Sequence, residues 1–358
     1  MTSASPTFKV ARPAIALDGQ DDASLAAGLL RLSIQEDVTG LYRCEAVFGN
    51  WGQVSGGAGF LYFDRKKLEF GKKLRVKLGN DVLFEGRIFA LEGRFPEGQA
   101  PEIAVLAEDA LQDFRMTRRT RTFADVTDSD VFSQIASDHG LTPSIDVSGP
   151  THKVLAQMNQ SDLAFMRERA RAIEAELWID GTTLHVQARA RRGAAANVET
   201  LAYHADLREF TVIADLSGQR SSVIVSGWDV VNKDALSYEA TDSVVSSELG
   251  GDTSGASILS AKIASRKDAL VHTAPRTSAE AQAQAEAYFM MTARRFLVGR
   301  GIAETAGRMS VGRLFDISGL GPLFSGRYYL TEIKHLFDGA GGIRTEFTAE
   351  RPGLGQGS

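Results

Sequence analysis

The groups in this chain that could do chemistry are six histidines, His139, His152, His185, His204, His272 and His335, one cysteine, Cys44, and many carboxylates. A metal site needs ligands at short repeated spacings, whereas these histidines fall one to an element with no HExxH pattern, so no metal or other cofactor is expected. Cys44 alternates with polar neighbours in residues 41–48 and reads as a small buried hydrophobe rather than a nucleophile. Glu174 and Glu176 could be written down as a glycosidase pair, but two residues apart on a helix they point in different directions, and a solvated face is the expectation. The nucleophile elbow G-x-S-x-G, the phosphate loop G-x-x-x-x-G-K-[ST] and a strand-associated G-x-G-x-x-G are all missing. No catalytic residue is assigned, and an enzyme is not expected.

Two basic runs, Arg115-Met116-Thr117-Arg118-Arg119-Thr120-Arg121 and Arg189-Ala190-Arg191-Arg192-Gly193, could suggest nucleic-acid binding. That would need interleaved aromatics and a basic domain, and the chain carries a formal charge of -5 from 40 basic and 45 acidic residues. Nucleic-acid recognition is therefore not expected. Arg118, Arg119 and Arg121 are read instead as exposed arginines of a connecting strand that pair with acidic groups on this or a neighbouring subunit, a possible subunit interface.

The elements that must position these residues are mostly β. A length of 358 residues allows two or three domains, and the balance of 43% hydrophobic to 24% charged residues argues against a chain disordered throughout. No apolar run approaches the ~18 residues of a spanning helix, so membrane insertion is not expected. The N-terminus lacks a basic start and an apolar stretch, so no secretory signal is expected. Short alternating runs at 29–35, 42–48, 73–78, 83–91 and 102–107 read as strands of a small barrel or sandwich, with Leu74, Val76 and Leu78 turned inward. Beyond Asp109 a mixed α/β segment follows. It has a capped helix from 128 that ends near Gly140, a strand near 144–147, and a helix capped by Ser161 with Leu163, Met166, Ala170, Ile173 and Leu177 as its stripe. A hairpin turning at Asp180-Gly181 closes the segment.

From about residue 201 the pattern returns to β, with strands at 210–214 and 221–228. The Ser-, Gly- and Asp-rich stretch 241–261 reads as a mobile loop. A helix over 278–298 carries Ala281, Ala285, Phe289, Ala293, Phe296 and Leu297 on one narrow face, which can pack on this chain's own β domain or on a second subunit. Strands near 301–306, 314–317, 328–337 and 343–349 complete the pattern. The domain expectation is 1–112 for a first β-barrel domain, 113–200 for the middle α/β domain, 201–352 for a second barrel, and 353–358 for a flexible tail.

An internal repeat underlies that division. Leu83-Phe84-Glu85-Gly86-Arg87 is matched by Leu323-Phe324-Ser325-Gly326-Arg327, and Gly71 by Gly312; downstream Glu92 is paired with Glu332, Phe95 with Phe337, Gly98 with Gly339, and Ala107-Glu108 with Ala349-Glu350. Gly86 and Gly326 are expected where a strand begins after a tight connection, at positive φ or a bulge. Two homologous β domains in one chain would offer two quasi-equivalent surfaces, suited to mating rings of different symmetry.

The run from Leu83 to Ile88, Asp109-Ala110-Leu111 leading into Arg119-Thr120-Arg121-Thr122-Phe123, Asp130-Val131-Phe132, Gln160-Ser161-Asp162-Leu163-Ala164-Phe165-Met166, and Gly326-Arg327-Tyr328-Tyr329-Leu330 with Lys334-His335 resemble the phage late control protein D family. The resemblance covers most of the chain, most specifically residues 123–186. It implies a β-rich α+β chain with two homologous tube-like β-barrel domains flanking the small middle domain. It further implies a homotrimeric baseplate hub of a phage-like contractile tail or an extracellular contractile injection system, similar to the N-terminal hub region of type VI secretion spike proteins. Such a hub joins the hexameric inner tube protein to a trimeric spike and meets other baseplate components. Because the sequence stops at Ser358, the spike is expected to be a separate chain. Assembly in the cytoplasm and release in a virion tail or injection particle would need no signal. The alternative is a carbohydrate-binding or wall-degrading accessory protein of the same particle.

Overall fold

The computed structural model describes residues 12–194, 197–271, 273–307 and 309–356. Its first region contains β1 (Leu29–Asp37), β2 (Arg43–Gly49), β3 (Lys73–Leu78), β4 (Asp81–Arg94) and β5 (Glu102–Glu108). Each is an alternating sequence whose apolar half faces one core: Leu32 and Ile34, Cys44 and Ala46, Leu74 and Val76, Ile103 and Val105 are buried there together. Leu74 and Val76 are fully inward as expected, and Leu78 is half-buried.

The middle region consists of β6 (Arg118–Val126), α1 (Asp128–Asp138), β7 (Thr142–Asp146), β8 (His152–Ser161), α2 (Asp162–Ala172), β9 (Ala175–Asp180) and β10 (Thr183–Ala188). β6 pairs with β8, while β7, β10 and β9 form a second small sheet with the hairpin at Gly181. Thr127 caps α1 in a capping box with Asp130, and Ser161 caps α2. The expected helix through Leu177 is corrected. α2 stops at Ala172, Glu174 takes a positive φ of 59°, and Leu177 reaches the same core from a strand instead.

The second β region holds β11 (Leu207–Ala214), β12 (Ser222–Asp229), β13 (Asp234–Thr241), α3 (Ser278–Arg294), β14 (Leu297–Glu304), β15 (Leu314–Ser318), β16 (Gly326–Asp338) and β17 (Gly342–Arg351). α3 lays Ala281, Ala285, Phe289 and Ala293 against Val223 and Val225 of β12, so its small-residue face is filled by this chain. It ends at Arg294, short of the expected 298. From Leu297 onward burial alternates with a period of two, and Phe296 and Leu297 enter a different core.

The mobile loop expected at 241–261 is also corrected. Its polar residues cap short helices: the Ser254 hydroxyl accepts from the Ser257 N–H at 3.0 Å, and the Asp242 carboxylate accepts from the Ser254 and Ser257 hydroxyls at 2.8 and 2.7 Å. At the tail, Gly353–Leu354 pairs with Thr253–Ser254, and the Gly355 N–H donates to the Leu323 carbonyl at 3.1 Å. A flexible end from 353 is thereby overturned, while residues 357 and 358 lie outside the described residues.

Among the described residues, thirteen strands share one sheet. Its path runs β11-β14-β17-β16-β1-β2-β5-β4-β3 and on to Ala14–Leu17, with β15 pairing alongside β16. The two β regions therefore meet edge to edge, β16 against β1, with Glu332 opposite Asp37 and Asp338 opposite Arg31.

Candidate functional site

The repeat becomes a geometric statement once the strand registers are compared. The first region is ordered β1-β2-β5-β4-β3 and the second β11-β14-β17-β16-β15, every neighbouring pair antiparallel. Arg87 lies opposite Glu108 and Ile88 opposite Ala107; Tyr329 lies opposite Glu350 and Leu330 opposite Ala349. The separation is 242 residues, from 88 to 330 and from 108 to 350. Each pair then slips by one residue, between Ile88 and Ala90 and between Leu330 and Glu332. A second shared slip falls between Leu29 and Arg31 and between Leu207 and Glu209.

Gly71 and Gly312 are the anchors of the two copies. They take φ of 81° and 88°, a region costly for residues with a Cβ. Each donates its N–H to the partner strand, to the Ile88 carbonyl at 2.7 Å and the Leu330 carbonyl at 3.0 Å. Each is followed by a carbonyl that accepts in return at 3.0 Å, Lys72 from Ile88 and Arg313 from Leu330.

The most conspicuous sequence match is out of step with this geometry. Leu74 lies opposite Gly86 and Phe315 opposite Tyr328, so Tyr328 occupies the position of Gly86, and Gly326 that of Phe84. The expectation that Gly86 and Gly326 begin equivalent strands is therefore corrected. Gly86 is in the middle of β4, where a Cβ would run into the Glu108 carbonyl and the Phe84 ring. Gly326 opens β16 at φ 141° with the Arg351 guanidinium beside it. Phe84 is buried in the first core, whereas Phe324 ends a four-residue helix beside the second core. Arg87 is exposed and 3.4 Å from Asp113, and Arg327 is exposed at the start of β16. Glu92 likewise corresponds in register to Lys334, not Glu332, whereas Phe95 with Phe337 and Ala107-Glu108 with Ala349-Glu350 keep the common separation.

Two of the three singled-out arginines pair with a carboxylate of this chain. Arg119 and Arg121 reach the carboxylate of Asp162, at 3.1 and 2.9 Å, which also accepts from Gln157 at 2.8 Å and contacts His139 at 2.9 Å. Burial pushes the Asp162 carboxyl up, but the hydrogen bonds from Gln157 and His139 and the charges of Arg121 and Arg119 outweigh it and hold it below its ordinary range. Arg118 donates to the Asn159 carbonyl at 3.2 Å and is exposed.

The sequence reading missed a buried polar knot between the middle region and the sheet. Arg192 donates to Glu176 at 2.9 Å, to the Tyr42 hydroxyl at 3.2 Å and to the Val311 carbonyl at 2.9 Å, with its guanidinium 3.9 Å from the Trp178 ring centroid. The Tyr329 hydroxyl donates to the same Glu176 oxygen at 2.5 Å, and Arg189 pairs with Glu350 at 2.6 Å. Glu174 meets Arg294, which also holds Glu248 at 2.6 Å. The solvated face expected for Glu174 and Glu176 is thus corrected. They do point apart, but each goes to a buried arginine, Glu176 to Arg192 sixteen residues on and Glu174 to the far more distant Arg294. Beside the knot, burial raises the Glu36 carboxyl to about 7 and Asp109 to about 6. A cleft of about 460 Å³ opens nearby, lined by Val38, Arg167, Glu174, Arg294 and Glu350 among others, with its charged groups mostly paired. His152 ties α1 to the start of α3, between Asp128 at 3.1 Å and Glu280 at 3.0 Å. Among the described residues no group of three or more metal-ligating side chains is assembled. Cys44 is buried, which raises its thiol well above the ordinary value.

This arrangement of strands and inserted middle region is a fold shared with tail proteins of known structure. The 43 kDa tail protein of prophage MuSo2 from Shewanella oneidensis is similar over 95% of this chain and 98% of its own, at TM-score 0.69 and 11% identity. The tail protein from Neisseria meningitidis MC58 matches over 95% and 96%, at 0.67 and 13%. The E. coli c3393 protein, a component of the type VI secretion system with structural similarity to the T4 bacteriophage tail proteins gp27 and gp5, matches over 90% and 73%, at 0.60 and 10%. By sequence, the chain belongs to the Alg8 N-terminal domain family, whose model matches residues 15–338. No curated protein matches it.

Proposed function

We propose that this protein is a structural hub of a phage-like contractile tail or extracellular contractile injection particle. In this reading it is a homotrimer that joins a hexameric inner tube to a trimeric spike, within the late control protein D type of architecture. Residues 1–112 and 201–352 supply the two tube-like domains and 113–200 the middle domain, and the particle assembles in the cytoplasm. The work is assembly geometry rather than catalysis. The observation that carries the reading is the duplicated five-strand unit, matched in register and in both slips, within a fold shared with tail proteins. Two such units per chain become six in a trimer, which is how a three-fold object presents a six-fold face. Arg118 is the member of the arginine trio assigned to a neighbouring component. Light scattering on the full chain mixed with its tube and spike proteins is expected to give a unit of three 38.6 kDa chains. A chain that stays monomeric in that mixture overturns the hub, and binding to glycan or lysis of cell wall would favour the accessory-protein alternative.

A further inference from the structure

The cleft between the middle region, α3 and the sheet carries more cations than anions. Five arginines line it, Arg167, Arg171, Arg189, Arg294 and Arg295, against three glutamates, Glu174, Glu176 and Glu350. Each glutamate is already held, Glu174 by Arg294, Glu176 by Arg192 and Glu350 by Arg189. Three arginines are left over. Among the described residues Arg167 donates only to the Thr39 and Gly40 carbonyls, both at 2.7 Å, and Arg171 only to the Arg167 carbonyl at 3.2 Å. Arg295 lies 3.8 Å from Glu350, whose nearer partner is Arg189 at 2.6 Å. Burial holds the Arg167 guanidinium below its usual range, and the like charges of Arg43 and Arg171 add to the effect against Asp37 and Asp109. Asp37 is itself engaged, accepting from the Thr39 N–H and hydroxyl at 2.7 and 2.5 Å.

The rest of the lining is largely apolar and held in place. Ala170, Ala175, Leu177 and Ala287 are buried, and Met291 is 45% exposed. On one side Gly40, at φ 71°, packs so closely on β9 that a Cβ would come 2.6 Å from the Leu177 carbonyl oxygen, and Arg167 grips the carbonyls of Thr39 and Gly40. On the other side Arg294 ties α3 to Glu174. A volume of about 460 Å³ falls within the ~300–1,000 Å³ of largely preformed binding pockets. Apolar walls beside unmatched cations suit a ligand that is apolar and anionic at once.

We infer that this cleft binds an acidic, apolar segment of a partner protein, its carboxylates on Arg171, Arg167 and Arg295 and its apolar side chains against Met291, Ala170 and Ala287. An extended segment of alternating apolar and acidic residues turns one set to the walls and the other to the arginines. Such a segment touches α2, α3 and β16 together, and so braces the middle region against the sheet. That the ligand is a protein segment rests on the hub reading, in which the chain works among other tail components. The preference for an apolar anion rests on the cleft alone.

The test is fluorescence anisotropy of the full chain with short labelled peptides of alternating leucine and glutamate, leucine and lysine, or serine and glutamate. The leucine-glutamate peptide is expected to bind, and each of the other two at least about tenfold more weakly. Arg171→Glu and Met291→Asp, both at exposed positions, should each weaken binding about tenfold or more. Arg300→Glu, an equal charge change at an exposed position outside this cleft, should shift it less than about twofold. Equal losses from Arg171→Glu and Arg300→Glu would mean attraction to net charge and overturn the site. Equal binding of either control peptide overturns the stated preference, and no binding of any peptide overturns the segment. Binding of decanoate without binding of the peptide also overturns the protein segment, while upholding a site for apolar carboxylates. A chain that binds the peptide yet stays monomeric with its tube and spike proteins overturns the hub and leaves the cleft standing. A trimer in that mixture with no peptide binding does the reverse.

Discussion

The two five-strand units have the same skeleton and different surroundings. The second unit is the more covered at its distal edge: β1 covers the far half of β16, α3 and β12 add a separate packed layer, and Arg192 and Arg189 bind it to the middle region. The first unit keeps the same strand order and slips with far less around its distal edge. The difference teaches that a register and a glycine can be conserved between copies while the energetic weight at each position is set by what packs on it.

Equivalent substitutions in the two copies should therefore diverge. The widest gap is expected at the pair Phe337 and Phe95. Phe337→Ala, in the core, should lose about 3–5 kcal/mol in denaturant unfolding, whereas Phe95→Ala should lose less than about 1 kcal/mol in the isolated chain. Equal losses would break the comparison. Next come the glycines. At Gly312 any side chain meets both a positive φ and the Arg192 guanidinium, while Gly71 has open space beside it. Gly312→Ala is expected to cost about 3 kcal/mol or more and Gly71→Ala only the backbone strain of about 1–2 kcal/mol, read as a difference in melting midpoint.

The smallest effect is a pH dependence at the join between the copies. Glu36 on β1 has its carboxyl raised to about 7 by burial, above its unfolded value. The stability contributed by its protonated form is then complete below about pH 4.5, declines as pH rises, and is gone above about 7. Glu36→Gln should leave stability near pH 4 unchanged and raise it by about 1–3 kcal/mol at pH 8. A gain that is the same at both pH values would mean the carboxyl is not the cause.

Much of the β skeleton was legible because its signals are local. Alternation in residues 73–78 and 102–107 marks strands one by one, and Ser161 caps a helix through its own side chain. Where two local signals competed, the sequence reading failed. The stripe that runs through Leu163, Met166 and Ala170 continues to Ile173 and Leu177 at helical spacing, yet the chain turns at Glu174 because Leu177 fills the same core from a strand. Ser- and Asp-rich residues at 241–261 signal loop or helix cap equally, and partners in space made them caps.

The sequence by itself determined that this is a β-rich chain with an α/β insert and an internal repeat, because side-chain alternation, capping and the positive-φ glycines act over a few residues. Tertiary structure alone decided how the copies align. The matching Leu-Phe-x-Gly-Arg stretches are two residues out of step, since register follows cross-strand pairing and not identity. It also decided which charges are buried, because Arg192 finds Glu176, Tyr42 and Val311 from three separate parts of the chain, and no spacing in the sequence encodes that meeting.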